Sequence, residues 1–506
     1  ADLRLMTSTP STVYATGYHT ANDGTFGSHF YRLATDTGQV DNSGTIIRTV
    51  NGVYELQYSG AVNVKWFGAK GDLVADDTTS IVAADTFTNT NNISLSFGVG
   101  SFNTTLSSIN SKVIFDGGLI TSSSTLTFNN ILEAKRDKIF YGSNSIVIPK
   151  NDFIYPEWFG VNSIDGDINN YSNSVKMINC VQDSKGHLKF GAGTYYLRDL
   201  LVDDSDITIS GVGRATILKN ATLTWGSSTR FGSFFNIYSP NLYANPTGDR
   251  GNRTWTATSQ KKNIVVKDLD IEWYDAGVDT AMNGLVIVGF KNVTIKNVNI
   301  NLNNANRAFY IASWFTDQKT EDVTITKCKS HNCATGSFVS EGINTTTTGN
   351  VLKGIKIIDN EFNVDSTISS GSRGPCSGLY HHGTPSTTII TDTLRFENNI
   401  VNGGAAGVIG NAPTATTRLM AIPIIKNNTF NNFTEQGIFI YNKKATIEKN
   451  IFDTTLLSFV AAQLGAIVLY ANSSGGCTNI DIIGNIFKKV SGTGTIRTIH
   501  IVPVAT

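Results

Sequence analysis

The sequence predicts an all-β chain: a right-handed, single-stranded parallel β-helix with short N-terminal cap helices. Three observations carry that reading. First, one phrase recurs near the end of the chain, an apolar triplet followed by Asn and an apolar residue. Ile355-Lys356-Ile357 leads to Asn360-Glu361-Phe362, and Leu394-Arg395-Phe396 leads to Asn399-Ile400-Val401. Ile422-Pro423-Ile424 leads to Asn428-Thr429-Phe430, Ala445-Thr446-Ile447 to Asn450-Ile451-Phe452, and Ile480-Asp481-Ile482 to Asn485-Ile486-Phe487. Second, the asparagines stand 39, 29, 22 and 35 residues apart. A constant strand and turn with loops of uneven length is one coil of a solenoid, not a strict repeat code. Third, only 16% of the residues are charged, against about 25% in an ordinary soluble domain. Gly, Ser, Thr and Asn take their place, as many turns and few surface helices require.

Each part of the phrase has a physical role. Asn suits the turn because it tolerates left-handed backbone angles, and its amide can bond the Asn one coil away. The Phe that follows is expected to stack in an interior column. With 506 residues, a solenoid uses this length in one body where ordinary domains would divide it.

The N-terminal half carries a second repeat. Ala61-Val62-Asn63-Val64-Lys65-Trp66-Phe67-Gly68 is echoed by Phe153-Ile154-Tyr155-Pro156-Glu157-Trp158-Phe159-Gly160. A helical stretch follows each copy, about Asp76 to Thr88 and about Asn173 to Asp183, and then a strand with a Gly-rich turn. A helix ahead of the first coil caps an otherwise open sheet edge. The division expected is a small β-rich neck over 1–60, a first capped β segment over 61–150, and the main β-helix over 151–506. The start at Ala1 without methionine reads as a trimmed fragment.

Several of these segments resemble a known family. Asp41-Asn42-Ser43-Gly44-Thr45-Ile46-Ile47, Val62 to Asp72, and Asp76-Asp77-Thr78 look like the opening of bacteriophage tailspike proteins, which belong to the pectate-lyase-like β-helix superfamily. The wording departs at Asp72-Leu73, where the family often has Asp-Gly. The resemblance implies a homotrimer in the virion tail, assembled in the host cytoplasm and joined to other phage tail proteins through a region before Ala1. Its implied ligand is a bacterial surface polysaccharide, capsule or O-antigen, which such proteins bind and usually cut. Contact positions vary widely in this family, so no catalytic residue transfers by motif.

The coils themselves suggest two columns of side chains. Aligning a later strand of each coil sets Leu285-Val286-Ile287-Val288, Phe309-Tyr310-Ile311-Ala312, Phe338-Val339-Ser340-Glu341 and Leu379-Tyr380-His381-His382 in file. Val408-Ile409-Gly410-Asn411, Ile438-Phe439-Ile440-Tyr441 and Ile467-Val468-Leu469-Tyr470 follow. Alternation points odd positions inward and even ones out. The fourth position then holds Glu341, His382, Asn411, Tyr441 and Tyr470 at about 4.8 Å per rung. Glu341 is the leading catalytic carboxylate, with His382 tuning its acidity. Tyr310, Tyr380 and Phe439 flank the same face and, with Trp314, are expected to stack on sugars. The plain alternative is a trimer interface, since Val286, Val339, Ile409 and Val468 share that face.

The other column lies on an earlier strand. Asp270 and Glu272 align with Asn299 and Asn301 and with Lys329 and His331. Alternate residues of a strand stand roughly 7 Å apart, within the ~6.5–9.5 Å of an inverting carboxylate pair. The plain alternative here is a solvated polar face. Trp255 and Trp273 lie near these columns and either stack on sugars or fill loop cores.

Taken together, the chemistry expected is hydrolysis of internal glycosidic bonds. A polysaccharide lyase on the same fold, using Lys329, His331 or Tyr441 as base, remains open, as does a non-catalytic glycan-binding receptor. An esterase is disfavoured because parity buries Ser340. A net charge of zero gives no pull toward nucleic acid or anionic membrane. No stretch is long and apolar enough for membrane insertion. The five cysteines, Cys180, Cys328, Cys333, Cys376 and Cys477, lack metal-ligand spacing and read as buried free thiols, so neither metal nor cofactor is expected.

Overall fold

In the computed structural model the described residues are 3–23, 28–142, 145–162, 164, 168–197, 200–220, 233–238, 260–272, 283–302, 307–313, 319–333, 336–342, 351–364, 377–382, 384–385, 393–404, 406–411, 418–419, 422–434, 436–440, 444–457, 465–470, 479–492 and 497–502. They fall into two compact units, one of residues 1–162 and 172–188, the other of 163–171 and 189–506.

The first unit opens with a four-stranded antiparallel sheet. Thr12–Ala15 pairs with Ser28–Arg32, which pairs with Gly52–Leu56, which pairs in turn with Ile46–Thr49. Phe30, Ile47, Tyr54 and Leu56 form its buried core. Two Arg–Asp pairs, Arg4 with Asp41 and Arg48 with Asp36, tie down the loops beside it.

Both copies of the N-terminal repeat fold alike. Asn63 Oδ1 accepts from Lys65 N at 2.9 Å and starts the 3-10 turn Val64–Phe67. The second turn is Pro156–Phe159, with proline at its first position. Gly68 and Gly160 end these turns at φ 97° and 79°, in the left-handed region that glycine enters without a Cβ clash. The α-helices Thr78–Asn91 and Ile168–Ser184 follow. Each copy then closes on a strand through a parallel pairing, Val62 with Leu95 and Ile154 with Leu188. Leu73, where the wording departs from Asp-Gly, stands at φ 66°. A branched side chain thus occupies a left-handed position that glycine would fill without strain. Among the described residues, no helix is long and apolar enough to cross a membrane.

The second unit is a parallel β-helix. Its typical coil has a first strand such as Lys356–Ile358, a bend at Asn360, a second strand Glu361–Val364, and a third strand Ser377–His382. First and second strands stack in one long bent sheet; third strands stack in a ten-stranded sheet that runs from Leu200–Val202 to Arg497–Val502. All of these coil-to-coil pairings are parallel, for example Phe362 with Val401, Val401 with Phe430 and Phe430 with Phe452.

The repeated phrase is the spine of this unit. Asn360 Nδ2 donates to Asn399 Oδ1 at 3.0 Å, Asn399 to Asn428 at 3.1 Å, Asn428 to Asn450 at 2.9 Å and Asn450 to Asn485 at 3.0 Å. Each Oδ1 also accepts the backbone N–H of the preceding ladder member, and each Nδ2 also meets a carbonyl oxygen of the neighbouring coil. A buried bend thereby keeps its amides satisfied. The residue just before the ladder Asn takes the left-handed angle: Asp359 at φ 61°, Asn398 at 56°, Asn427 at 56° and Lys449 at 54°. The two roles expected of one asparagine are therefore split between neighbours: the residue before takes the left-handed angle, and the ladder Asn aims its amide along the stack. Beyond the bend, Phe430 and Phe452 stack at 5.2 Å, and Phe452 and Phe487 at 5.0 Å.

Asn428→Ala strips acceptors from Asn399 N and Nδ2 and a donor from Phe396 O. At about 1–3 kcal/mol for each buried group left unmet, the variant is expected to lose at least about 3 kcal/mol. Urea unfolding followed by circular dichroism measures it, and a change below about 1 kcal/mol would mean the ladder is not structural.

Cys180, Cys328 and Cys333 are buried and free, and burial pushes the thiols of Cys180 and Cys328 up to about 12. Cys376 and Cys477 lie outside the described residues.

Candidate functional site

The second strands of four coils set a file of polar side chains on the outside of the bent sheet. Asp270 pairs across rungs with Asn299, Asn299 with Lys329, and Lys329 with Glu361. Two residues on, Lys219 pairs with Glu272, Glu272 with Asn301, and Asn301 with His331. Between them Leu269, Ile271, Val298, Ile300 and Phe362 are buried. Strict alternation therefore turns the polar set outward while the apolar set fills the core. The polar members are half-buried, a setting in which charge interactions outweigh those of a fully solvated surface.

The two carboxylates of Asp270 and Glu272 have different surroundings. Burial lifts the pKa of Asp270 above the ordinary carboxylate value, and the Glu272 charge adds to the rise. Opposing this are the hydrogen bond from Asn299 Nδ2 to Asp270 Oδ2 at 3.2 Å and the charges of Arg214 and His331. Glu272 Oε2 instead lies 3.4 Å from Lys219 Nζ. The strand thus carries one carboxyl biased toward its protonated form and, about 7 Å along, one paired with a cation. Asn299 Oδ1, next to Asp270, is buried and meets no donor among the described residues.

One rung further, Lys329 Nζ and Glu361 Oε2 form an ion pair, and the Lys329 ammonium holds Glu361 below the usual glutamate range. His331 Nδ1 lies 3.2 Å from Asn363 Nδ2. Burial lowers the pKa of His331, and Lys329 and Arg214 lower it further against the pull of Glu361 and Asp270. Arg214 is carried by the turn Gly211–Ala215. Gly211 N and Gly213 N donate to Lys267 O and Asp268 O at 3.1 and 2.8 Å, anchoring that turn beside the Asp270 strand.

The third-strand column has the expected register. Ala312 pairs with Glu341, Glu341 with His382, and His382 with Asn411. Its surroundings differ from the expectation of an open face. Val286, Val288, Tyr310, Ala312, Phe439 and Val468 are all buried, Tyr310 at 3% exposure and Phe439 at 8%. Tyr310 lies beneath the Arg307 guanidinium, 4.8 Å from its ring centre. Neither ring offers a free face for a sugar, which corrects the assignment of Tyr310 and Phe439 as exposed stacking residues. The physical reason is visible in Leu285-Val286-Ile287-Val288, an unbroken apolar run. Strands covered on both faces read as continuous runs, whereas half-exposed ones alternate. The side chains of Glu341, Tyr380, His382, Asn411 and Tyr470 are outside the described set, as are residues Trp255, Trp273, Trp314 and Tyr441.

The sequence reading did not single out Lys219, Arg214, Glu361 or Asn363. Glu361 was within reach: it follows the ladder Asn and precedes the buried Phe, so parity alone sends it outward. Lys219 was not, because its coil lacks the repeated phrase. Among the described residues, no group of three His, Cys, Asp or Glu side chains is arranged to hold a metal ion.

Several solved structures are similar to this chain at low identity. Tailspike protein 2 of Escherichia coli O157:H7 bacteriophage CAB120 is 12% identical over 96% of this chain and 54% of its own, with a TM-score of 0.31. This chain therefore spans about half the length of that protein. A family 28 exopolygalacturonase of Yersinia enterocolitica is 11% identical over 94% and 82%, with a TM-score of 0.34. A tailspike protein of Acinetobacter baumannii bacteriophage Fri1, a capsular polysaccharide depolymerase, is 14% identical over 91% and 75%, with a TM-score of 0.28. No curated protein matches the sequence. Residues 1–59, which hold the four-stranded antiparallel sheet, match the family of the phage tail protein small four-stranded β-sheet domain.

Proposed function

We propose that this chain is a phage tailspike subunit whose β-helix binds a bacterial surface polysaccharide and cleaves its internal glycosidic bonds by hydrolysis. The observation that carries the proposal is the Asp270–Glu272 pair, two carboxyls on one strand with opposite electrostatic settings, outside a β-helix that follows a phage-tail sheet. Asp270, biased toward its protonated form, gives its proton to the departing glycosidic oxygen. Glu272 takes a proton from the water that attacks the anomeric carbon. Their spacing of about 7 Å leaves room for that water and gives inversion at the anomeric centre. Asn299, Asn301 and His331 offer hydrogen bonds to sugar hydroxyls on the next rungs.

The test is to incubate the chain with purified capsule or O-antigen and weigh the fragments. Hydrolysis leaves the new non-reducing end heavier by one water than elimination does, and elimination makes that end an ultraviolet-absorbing unsaturated sugar. A lyase is the second reading, favoured by Lys329 and His331 two rungs along from the carboxyls; unsaturated ends would establish it. Binding without fragments would make the chain a receptor module only.

The assembly proposed is a homotrimer in the virion tail, joined to other tail proteins at its N-terminal side. Light scattering at micromolar concentration is expected to give three times the 54.6 kDa chain mass, and a monomer peak counts against it.

A further inference from the structure

We propose that Asn363 is a positioning residue for His331: its amide donates to Nδ1, holds the ring in the Nε2–H tautomer, and leaves Nε2–H as the donor offered to a ligand oxygen. Asn363 Nδ2 lies 3.2 Å from His331 Nδ1 and 3.4 Å from both Ser330 O and Glu361 Oε1. An amide nitrogen only donates, so Nδ1 must accept and carries no proton.

The amide cannot simply turn over. Asn363 Oδ1 accepts from Asn402 Nδ2 at 2.9 Å, and Asn402 Oδ1 accepts from Asn431 Nδ2 at 2.9 Å. A flipped Asn363 would set its NH2 against that of Asn402 and its oxygen against a carbonyl and a carboxylate. The three asparagines follow one another across paired rungs, Asn363 with Asn402 and Asn402 with Asn431. They form a second, outward amide ladder. The buried ladder spends its amides on backbone carbonyls, whereas this one ends on an imidazole.

A proton on Nδ1 would face the Asn363 NH2, so the same contact opposes the imidazolium. The charged groups around His331 are Glu361 and Asp270, which favour the cation, and Lys329 and Arg214, which oppose it. With burial added, the ring stays neutral at neutral pH and acts through Nε2–H as a donor. Such a donor takes an acceptor oxygen: a hydroxyl, ring or carboxylate oxygen of a sugar. Only that choice of ligand rests on the function proposed above; the tautomer does not.

The experiment is 15N–1H long-range correlation on the full chain with labelled histidines, recorded across pH. There are seven histidines, and His331 is assigned by the signal lost in His331→Gln. The expected result is one neutral tautomer with the proton on Nε2, titrating below the ordinary value of about 6.5. Asn363→Asp turns the contact into an acceptor and is expected to move the proton to Nδ1 and raise the titration by about one unit or more. Unchanged signals from the other histidines show that the variant is folded. If it does not fold, Asn402→Ala removes the donor that orients Asn363, together with one acceptor for Asn431, and is expected to give mixed tautomers. A wild-type ring protonated on Nδ1 overturns the proposal, and so does a folded Asn363→Asp whose tautomer and titration match wild type. Neither readout requires cleavage, so an inactive chain would sink the function and leave this inference standing.

Discussion

Replacing Asp270 by Asn is expected to slow polysaccharide cleavage by about 10²–10⁴, the usual worth of a positioned general acid. Asn keeps the shape and the contact with Asn299 but has no proton to give. Glu272→Gln is expected to lose a similar factor, because the attacking water then has no base. Glu341→Gln is expected to retain activity within a few-fold, since the file it joins runs on from Val288 and Ala312, both fully buried. Activity of wild type should fall as pH rises through the Asp270 value, which burial holds above the ordinary carboxylate range. A polysaccharide lying over the strand would desolvate Asp270 further and carry that limb toward neutral pH. Initial rates of reducing-end release, measured across pH for the three variants, decide the matter. Full activity in Asp270→Asn with loss in Glu341→Gln would move the chemistry to the third strand.

Phe430→Ala is expected to cost about 3–5 kcal/mol, the range for a buried aromatic truncated in a core. Phe430 is fully buried and stacks on Phe452, with Val401 on the rung before it. The site cannot collapse easily, because ladder bonds on one side and paired strands on the other hold the coil spacing. The ring is also closely enclosed: a Cβ added at Gly407 would fall 2.3 Å from Phe430 Cδ1. Parallel β-helices of this size can unfold irreversibly, so the rate of unfolding in guanidinium is the sounder measure. Phe430→Leu should recover most of the loss. A Phe430→Ala variant that unfolds as slowly as wild type would remove the stacked column from the account of stability.

The architecture was legible in the sequence because stacking makes a local phrase report a long-range fact. Asn360, Asn399, Asn428, Asn450 and Asn485 recur with the same neighbours, and identical side chains on successive rungs can only be of use to each other in a parallel stack. The register of Lys267–Glu272 on Lys296–Asn301 follows in the same way, since a shift of one residue would turn Leu269 and Ile271 out of the core. The duplicated turn was equally readable: a Gly after Trp-Phe marks a left-handed stop wherever it occurs. Those features depend on residues near one another in sequence or repeated by the coil.

The site was less legible, for a reason of geometry. Parity tells which face of a strand a residue joins, but not what lies over that face. Tyr310 and Phe439 have the parity of outward residues and are nonetheless buried, so the third-strand sheet is covered on both sides at those rungs. The differing settings of Asp270 and Glu272 likewise come from groups on other coils, Lys219 one coil before and Asn299 and His331 on the coils after. The sequence by itself determined the β-helix, its ladder and its rungs, because these repeat. Only the tertiary structure decided which outward face stays open and which carboxyl is biased toward its proton. Burial and charge act across rungs, through loops and neighbours whose sequence carries no repeat to read.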